Sequence, residues 1–228
     1  MSQIHLVGGE KGGVGKSLVA RLLAQHFIDR EQPLRCFDTD RSHGALLRYY
    51  ADFSEPTPLD GHDSLDRILE AAAELPNQRV IVDLAAQTQA AVVNWLDEAG
   101  VAEVAAEMDV GLNHWHVMDA GRDSVPLLAA WLDGPAAHLP LVLVLNEVRG
   151  DRFDLLAESG LLARAQGQGA RVLRLRKLPD ALLQKVDALG ASFWAARQPG
   201  TLSLLDRQRL KLWLQRTSDE IGALVPAV

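Results

Sequence analysis

The chain has 228 residues, 48% of them hydrophobic and 23% charged, with a formal net charge of −7. That length suits one α/β domain with a substantial core, and the composition is that of an ordinary soluble globular protein. The acidic balance argues against global attraction to nucleic acid or anionic lipid. No apolar run reaches the roughly 20 residues a membrane span needs, and the single cysteine, Cys36, excludes an intrachain disulfide.

In chain order, Ile4 to Val7 reads as a buried strand. A glycine-rich stretch, Gly8 to Ser17, follows, and then Leu18 to Phe27 at helical spacing. Gly8 opens that stretch before a signal-peptide core can develop, so a cytoplasmic protein is expected. Pro33 to Phe37 is a second strand, with Cys36 as a buried thiol, ending in Asp38-Thr39-Asp40. Ser42 to Ala51 reads as a helical turn or two, and Asp52 to Asp63, with Pro56, Pro58 and Gly61, as a loop. Ser64 to Leu75 is helical. Arg79 to Leu84 is a continuous apolar strand carrying Asp83. Helices are predicted over Gln87 to Ala99, Val101 to Met108 and Arg122 to Leu132, around an extended segment from Asp109 to Met118. Leu139 to Leu145 is the strongest buried strand and ends in Asn146. Phe153 to Ala165 reads as one helix, and Arg171 to Leu175 as a last strand. Pro179 fits the first turn of a helix running to about Leu189. An amphipathic helix from about Ser203 to Leu224 closes the chain. The alternation predicts an α/β fold, a mostly parallel sheet with helices on both faces, as a single domain over residues 1–228.

The glycine stretch carries the chemistry. Strand, glycine loop, Gly-Lys-Ser and helix is the context of a phosphate-binding loop. Glycines let successive backbone N–H groups turn inward, and the helix N-terminus adds partial positive charge. Lys16 would reach the β- and γ-phosphates, and the Ser17 hydroxyl would hold Mg²⁺. The plain pattern G-x-x-x-x-G-K-[ST] requires glycine at position 10, where this chain has Glu10. The stretch fits K-G-G-x-G-K-[ST] in full, with a second lysine at Lys11.

That variant resembles the deviant Walker A motif of the ParA/MinD ATPases. The resemblance implies a P-loop NTPase fold, with ATP and Mg²⁺ as cofactors. It implies that Gly9, Glu10, Lys11, Gly12, Gly13, Val14, Gly15, Lys16, Ser17 and Leu18 bind nucleotide. Lys11 would act in trans on the phosphates held by a second subunit. Asp40 matches the switch acid that positions the attacking water, and it stands with Ser17 and Asp83 as a candidate for the metal. Asp38, two residues earlier on an extended segment, is expected to point the same way. Asp83 resembles the Walker B acid, but Leu84-Ala85-Ala86-Gln87 lacks the family's proline and glycine. Gln87 and Thr88 are the candidates to substitute for them in sensing the γ-phosphate. Asn146 matches the adenine-reading position, and Pro179 with Asp180 the turn that closes over the base. A turn asparagine without a ligand is the alternative.

Within that group the chain resembles the TraL-like proteins of plasmid conjugation regions. The stretches are Ile4 to Leu23, Cys36 to Asp40 and Arg207 to Lys211. The implied function is an ATP-dependent dimerisation switch, a slow ATP hydrolase stimulated by an unidentified partner protein, in plasmid maintenance or conjugative transfer. Alternatives are a metabolic enzyme in which ATP activates a carboxylate, and a nucleotide-binding scaffold with little hydrolysis. His114 and His116 lack an evident third metal ligand and read as structural or exposed. The basic residues Arg171, Arg174, Arg176, Lys177, Arg207, Arg209, Lys211 and Arg216 read as a solvated face, so DNA binding is not favoured. The last helix is expected to pack on its own domain, and membrane association is not expected.

Overall fold

The computed structural model describes all residues except 41–43, 60, 99 and 226–228. Seven strands form one sheet: β1 (Ser2–Gly8), β2 (Leu34–Asp38), β3 (Ser54–Pro56), β4 (Arg79–Asp83), β5 (Val110–Met118), β6 (Leu141–Asn146) and β7 (Arg171–Leu175). Their order is β3-β2-β4-β1-β5-β6-β7, and each adjacent pair is parallel. β1 has β4 on one side and β5 on the other. Val7 faces Asp83 on one neighbour and Trp115 on the other, and Asp38 also pairs with Asp83. The C-terminal ends of β1, β2 and β4 therefore meet at one edge. In an open sheet, ligands bind at such an edge, where the chain changes its winding direction.

Continuous apolar strands bury both faces. Val7, Cys36, Ile81, Trp115 and Val144 point to one layer, with α1 (Lys16–Ile28) and α11 (Leu204–Leu224). Leu6, Phe37, Val80, Val82 and Leu143 point to the other, under α3 (His62–Ala73), α4 (Gln89–Glu98), α5 (Val101–Glu107) and α6 (Ser124–Asp133). Neighbouring residues of one strand alternate between the layers, as the two-residue period requires. Cys36 is buried. α11 packs on the protein itself, burying Leu210, Trp213 and Ile221, with Trp213 Nε1 donating to Arg176 O at 2.8 Å.

Three segments differ from the sequence expectation. The loop expected from residue 52 contains β3, which pairs with β2 through Cys36–Ser54 and Asp38–Pro56. Pro56 lies on the sheet edge, where a missing N–H breaks no ladder. The helix expected over Phe153 to Ala165 is two, α7 (Asp154–Glu158) and α8 (Leu161–Gly167), split at Gly160 with φ +72°. A short unforeseen helix, α10 (Phe193–Ala196), is capped by the Ser192 hydroxyl accepting from Ala195 N. The helical reading from Ser42 falls partly outside the described residues, and α2 runs over Ala45–Tyr49. The remaining helix, α9, is Asp180–Ala188.

Candidate nucleotide site

Residues 9–15 link β1 directly to α1. Gly9 has φ +142°, and a Cβ there would stand 2.6 Å from Val117 O. Gly15 has φ +101°, and a Cβ there would collide with the Asn146 amide. Glycine is therefore a steric necessity at both ends of the loop. Lys16 is buried, and its Nζ donates to Lys11 O at 3.0 Å, so the side chain spans the loop from beneath. Burial lowers the Lys16 pKa, opposed by the carboxylates of Asp83, Glu10 and Asp40. A buried ammonium answered by a backbone carbonyl is a group waiting for a stronger anionic partner.

The loop opens on a cavity of about 360 Å³. Of the residues singled out from sequence, Gly12, Gly13, Gly15, Lys16, Ser17, Leu18, Asp40 and Asp83 line it. Asp83 is 3% exposed, and burial pushes its carboxyl up to about 7 against a hydrogen bond from Ser17 and the charge of Lys16. Its Oδ1 has no hydrogen-bond partner. An orphaned buried carboxylate oxygen beside a serine hydroxyl fits a hard divalent cation, which would favour the ionised form. The donor set therefore fits Mg²⁺. Asp40 is half-buried on the same cavity.

Asp38 does not join it. Its carboxylate accepts from Asp40 N at 3.1 Å and from Leu46 N and Leu47 N at 2.9 and 3.4 Å. It fixes the start of α2 and the turn that carries Asp40. Thr39 ties β2 to the segment after β4: its Oγ1 donates to Asp83 O at 3.0 Å and accepts from Ala85 N at 2.8 Å. Ala85 and Ala86 line the cavity, whereas Gln87 and Thr88 do not. Gln87 takes a left-handed φ of +64°, and Thr88 Oγ1 bonds Ala85 O at 2.8 Å.

Lys11 points along the loop's flank. Its Nζ is 3.0 Å from Asp119 Oδ2 and 3.9 Å from Asp123 Oδ2. Asp119 also accepts from Ser124 Oγ at 2.6 Å and Gly121 N at 3.0 Å. Burial works to raise the Asp119 carboxyl, and these bonds with the Lys11 charge outweigh it and hold it below the usual range. Glu10 turns the other way, its Oε1 accepting from Gln89 N at 2.8 Å. Val14 is 1% exposed and belongs to the core.

Asn146 is fully buried under the loop, with Nδ2 donating to Val14 O at 2.7 Å and Oδ1 accepting from Val148 N at 3.2 Å. Pro179 sits at the N-cap of α9 and lines a separate groove with Arg176 and Trp213. Asp180 is exposed. α9 instead brings Leu183 and Asp187 to the cavity at the loop, opposite Arg21 and Tyr49. Arg21 Nη1 donates to Asp187 Oδ1 at 2.8 Å, and the guanidinium lies 3.8 Å from the Tyr49 ring centre and 4.6 Å from that of Phe193. Sequence reasoning passed over these residues; an arginine inside the apolar run Leu18 to Ala24 is the signal that marks them.

His114 and His116 lie on one face of β5, both buried, with His114 stacked 3.7 Å from Trp131. Burial keeps both neutral, His116 at about 4 and His114 well below its ordinary value. Among the described residues no three His, Cys, Asp or Glu side chains group to hold a metal. Several late-chain cations are paired internally: Arg174 with Glu147, Arg176 with Glu220 and Arg209 with Asp206. No helix of the described residues is long and apolar enough to cross a membrane.

A parallel sheet in this order, with a lysine-first glycine loop closing its central strand, defines a P-loop NTPase fold of the ParA/MinD type. The fold of the septum site-determining protein MinD from Pyrococcus horikoshii OT3, solved with Mg-ADP, matches with a TM-score of 0.52 over 99% of each chain at 15% identity. Protein MobD of Acidithiobacillus ferrooxidans is 24% identical over 213 residues, 92% of each chain. Protein TraL of Escherichia coli is 30% identical over 229 aligned residues, 93% of this chain and 94% of its own. No family model matches the chain. The chain belongs to the TraL family.

Proposed function

We propose that this protein binds ATP with Mg²⁺ and acts as a slow ATP-dependent dimerisation switch in conjugative plasmid transfer. The observation that carries the reading is the cluster at the mouth of the glycine loop, buried Lys16 and Asp83 with half-buried Ser17 between them, with Asp83 Oδ1 unpartnered. Lys16 exchanges Lys11 O for the β- and γ-phosphates. Ser17 and Asp83 hold the cation, which supplies neutralising charge on the phosphates. Asp40 accepts a hydrogen bond from the attacking water and aligns it. Lys11 leaves Asp119 for the phosphates of a second subunit, as an arginine finger does in trans.

The base end is assigned on resemblance to Asn146, Pro179 and Asp180. For Asn146 to read adenine, its amide must give up Val14 O or Val148 N. The output partner is a protein that recognises one nucleotide state. The alternating pattern and the continuous sheet support one domain over the chain.

Calorimetry with Mg-ATP on the wild type and on Lys16→Ala tests the binding step. The expected result is saturable binding by the wild type and its loss in the variant. Equal affinity in both removes the loop from the function.

A further inference from the structure

We propose that Glu10 is a positioning residue that ties the first turn of α4 to the glycine loop, so that α4 reports which partner Lys11 holds. The inference rests on the nucleotide-switch reading for its physiological trigger, though not for the tie itself.

Glu10 stands where a plain phosphate loop has glycine. Its carboxylate accepts from Gln89 N at 2.8 Å across 79 positions of sequence. Gln89 is the first residue of α4, and the first four amides of a helix lack intrahelical acceptors. Glu10 thus caps a helix it does not belong to, and its charge suits the positive helix end. The segment entering α4 is a candidate hinge. Gln87 is held at φ +64°, a region non-glycine residues seldom adopt, and the Thr88 hydroxyl ties back to Ala85 O. The far part of α4 is anchored: Val92 and Trp95 are each 1% exposed, and Trp95 Nε1 donates to Asp66 Oδ1 at 3.0 Å. A change at the cap therefore stays in the first turn.

The coupling runs through Lys11, the next residue in the chain. Lys11 has two tethers, its Nζ on Asp119 at 3.0 Å and its carbonyl on Lys16 Nζ at 3.0 Å. Phosphates in the loop draw away Lys16 and, across a dimer, Lys11, so both tethers go together. With residue 11 released, Glu10 shifts and the cap on Gln89 opens.

Hydrogen exchange of the full chain, read on peptides covering residues 87–92, tests this. The probes are no nucleotide, Mg-ADP and the slowly hydrolysed Mg-ATPγS. Wild type is expected to exchange slowly without nucleotide and about tenfold faster with Mg-ATPγS, a change within the range of local opening equilibria. Glu10→Ala should exchange fast in all conditions. Glu10→Gln, whose side-chain carbonyl still accepts, should follow the wild type. Asp119→Ala, which cuts one tether without any nucleotide, should raise exchange when Glu10 is present and add nothing to Glu10→Ala. Slow exchange in Glu10→Ala, or no response to Asp119→Ala, overturns the proposal. If calorimetry detects no nucleotide binding, the functional reading fails while the Glu10 and Asp119 arms still decide this one.

Discussion

Lys11 Nζ and Asp119 Oδ2 lie 3.0 Å apart, so the second lysine of the loop is closed on its own chain. The two side chains are 28% and 17% exposed, and such partly exposed pairs contribute only about 1 kcal/mol or less. A contact of that size holds the lysine in place yet yields to a phosphate. Asp119 follows the last residue of β5 and faces the loop from the other side of β1, whereas Asp38 and Asp83 are themselves the last residues of β2 and β4.

Removing the cis acceptor should bias the switch. Asp119→Ala is expected to dimerise with Mg-ATP at up to about fivefold lower protein concentration than the wild type, the factor that about 1 kcal/mol represents. Its thermal stability without nucleotide should fall, because Ser124 Oγ and Gly121 N lose their acceptor along with Lys11. Analytical ultracentrifugation across a concentration series reads the first quantity and a melting curve the second.

Asp83 makes the site sensitive to pH. Its folded pKa of about 7 lies above the unfolded value near 3.9, so the folded state binds more protons between those limits. Stability from this group falls as pH rises from about 4 to 7, and the penalty persists above. Asp83→Asn should therefore stabilise the nucleotide-free protein at pH 8 by on the order of 1–3 kcal/mol and lose Mg²⁺-dependent affinity. Binding of Mg-nucleotide to the wild type should release a proton near pH 6–7. Calorimetry in buffers of different ionisation enthalpy measures it.

Buried histidines act in the opposite direction. Burial holds His5 at about 3 and His26 and His116 at about 4, all below the ordinary histidine value. Their unfolded forms take up protons first, so stability is lost as pH falls below about 6.5 toward those folded values. Chemical denaturation in Asp83→Asn, where the opposing carboxyl is gone, should show that loss more steeply than in the wild type.

Asn146 carries a structural duty whatever it does to a base. Asn146→Ala orphans Val14 O and Val148 N in a buried setting and should destabilise the protein by about 1–3 kcal/mol without nucleotide. Urea denaturation checks this. Unchanged stability with weakened ATP binding would assign the residue to adenine alone.

The loop, the strands and the strand-end carboxylates were legible because each is local: glycine spacing, an apolar run and the acid that follows it. Asp38 was misdirected because alternation along an extended segment stops where the strand stops, at Asp38 itself. The partners of Glu10 and Lys11 lie 79 and 108 positions away, set by sheet order rather than by neighbouring residues. β3 escaped because three residues with a terminal proline carry almost no periodicity. Two local signs do stand in the sequence: Arg21 inside an apolar run, and Gly160 inside an otherwise helical pattern.

The central claim is that one lysine serves two partners, Asp119 within the chain and phosphate across a dimer. Light scattering after size exclusion, with Mg-ATP, on Asp40→Ala and on Asp40→Ala combined with Lys11→Ala tests it most directly. Asp40→Ala keeps the phosphate cradle and both lysines, so the account predicts an accumulated dimer. The double variant still binds ATP through Lys16 but lacks the charge between the facing phosphates, and it should remain a monomer. A double variant that dimerises as well as Asp40→Ala contradicts the account.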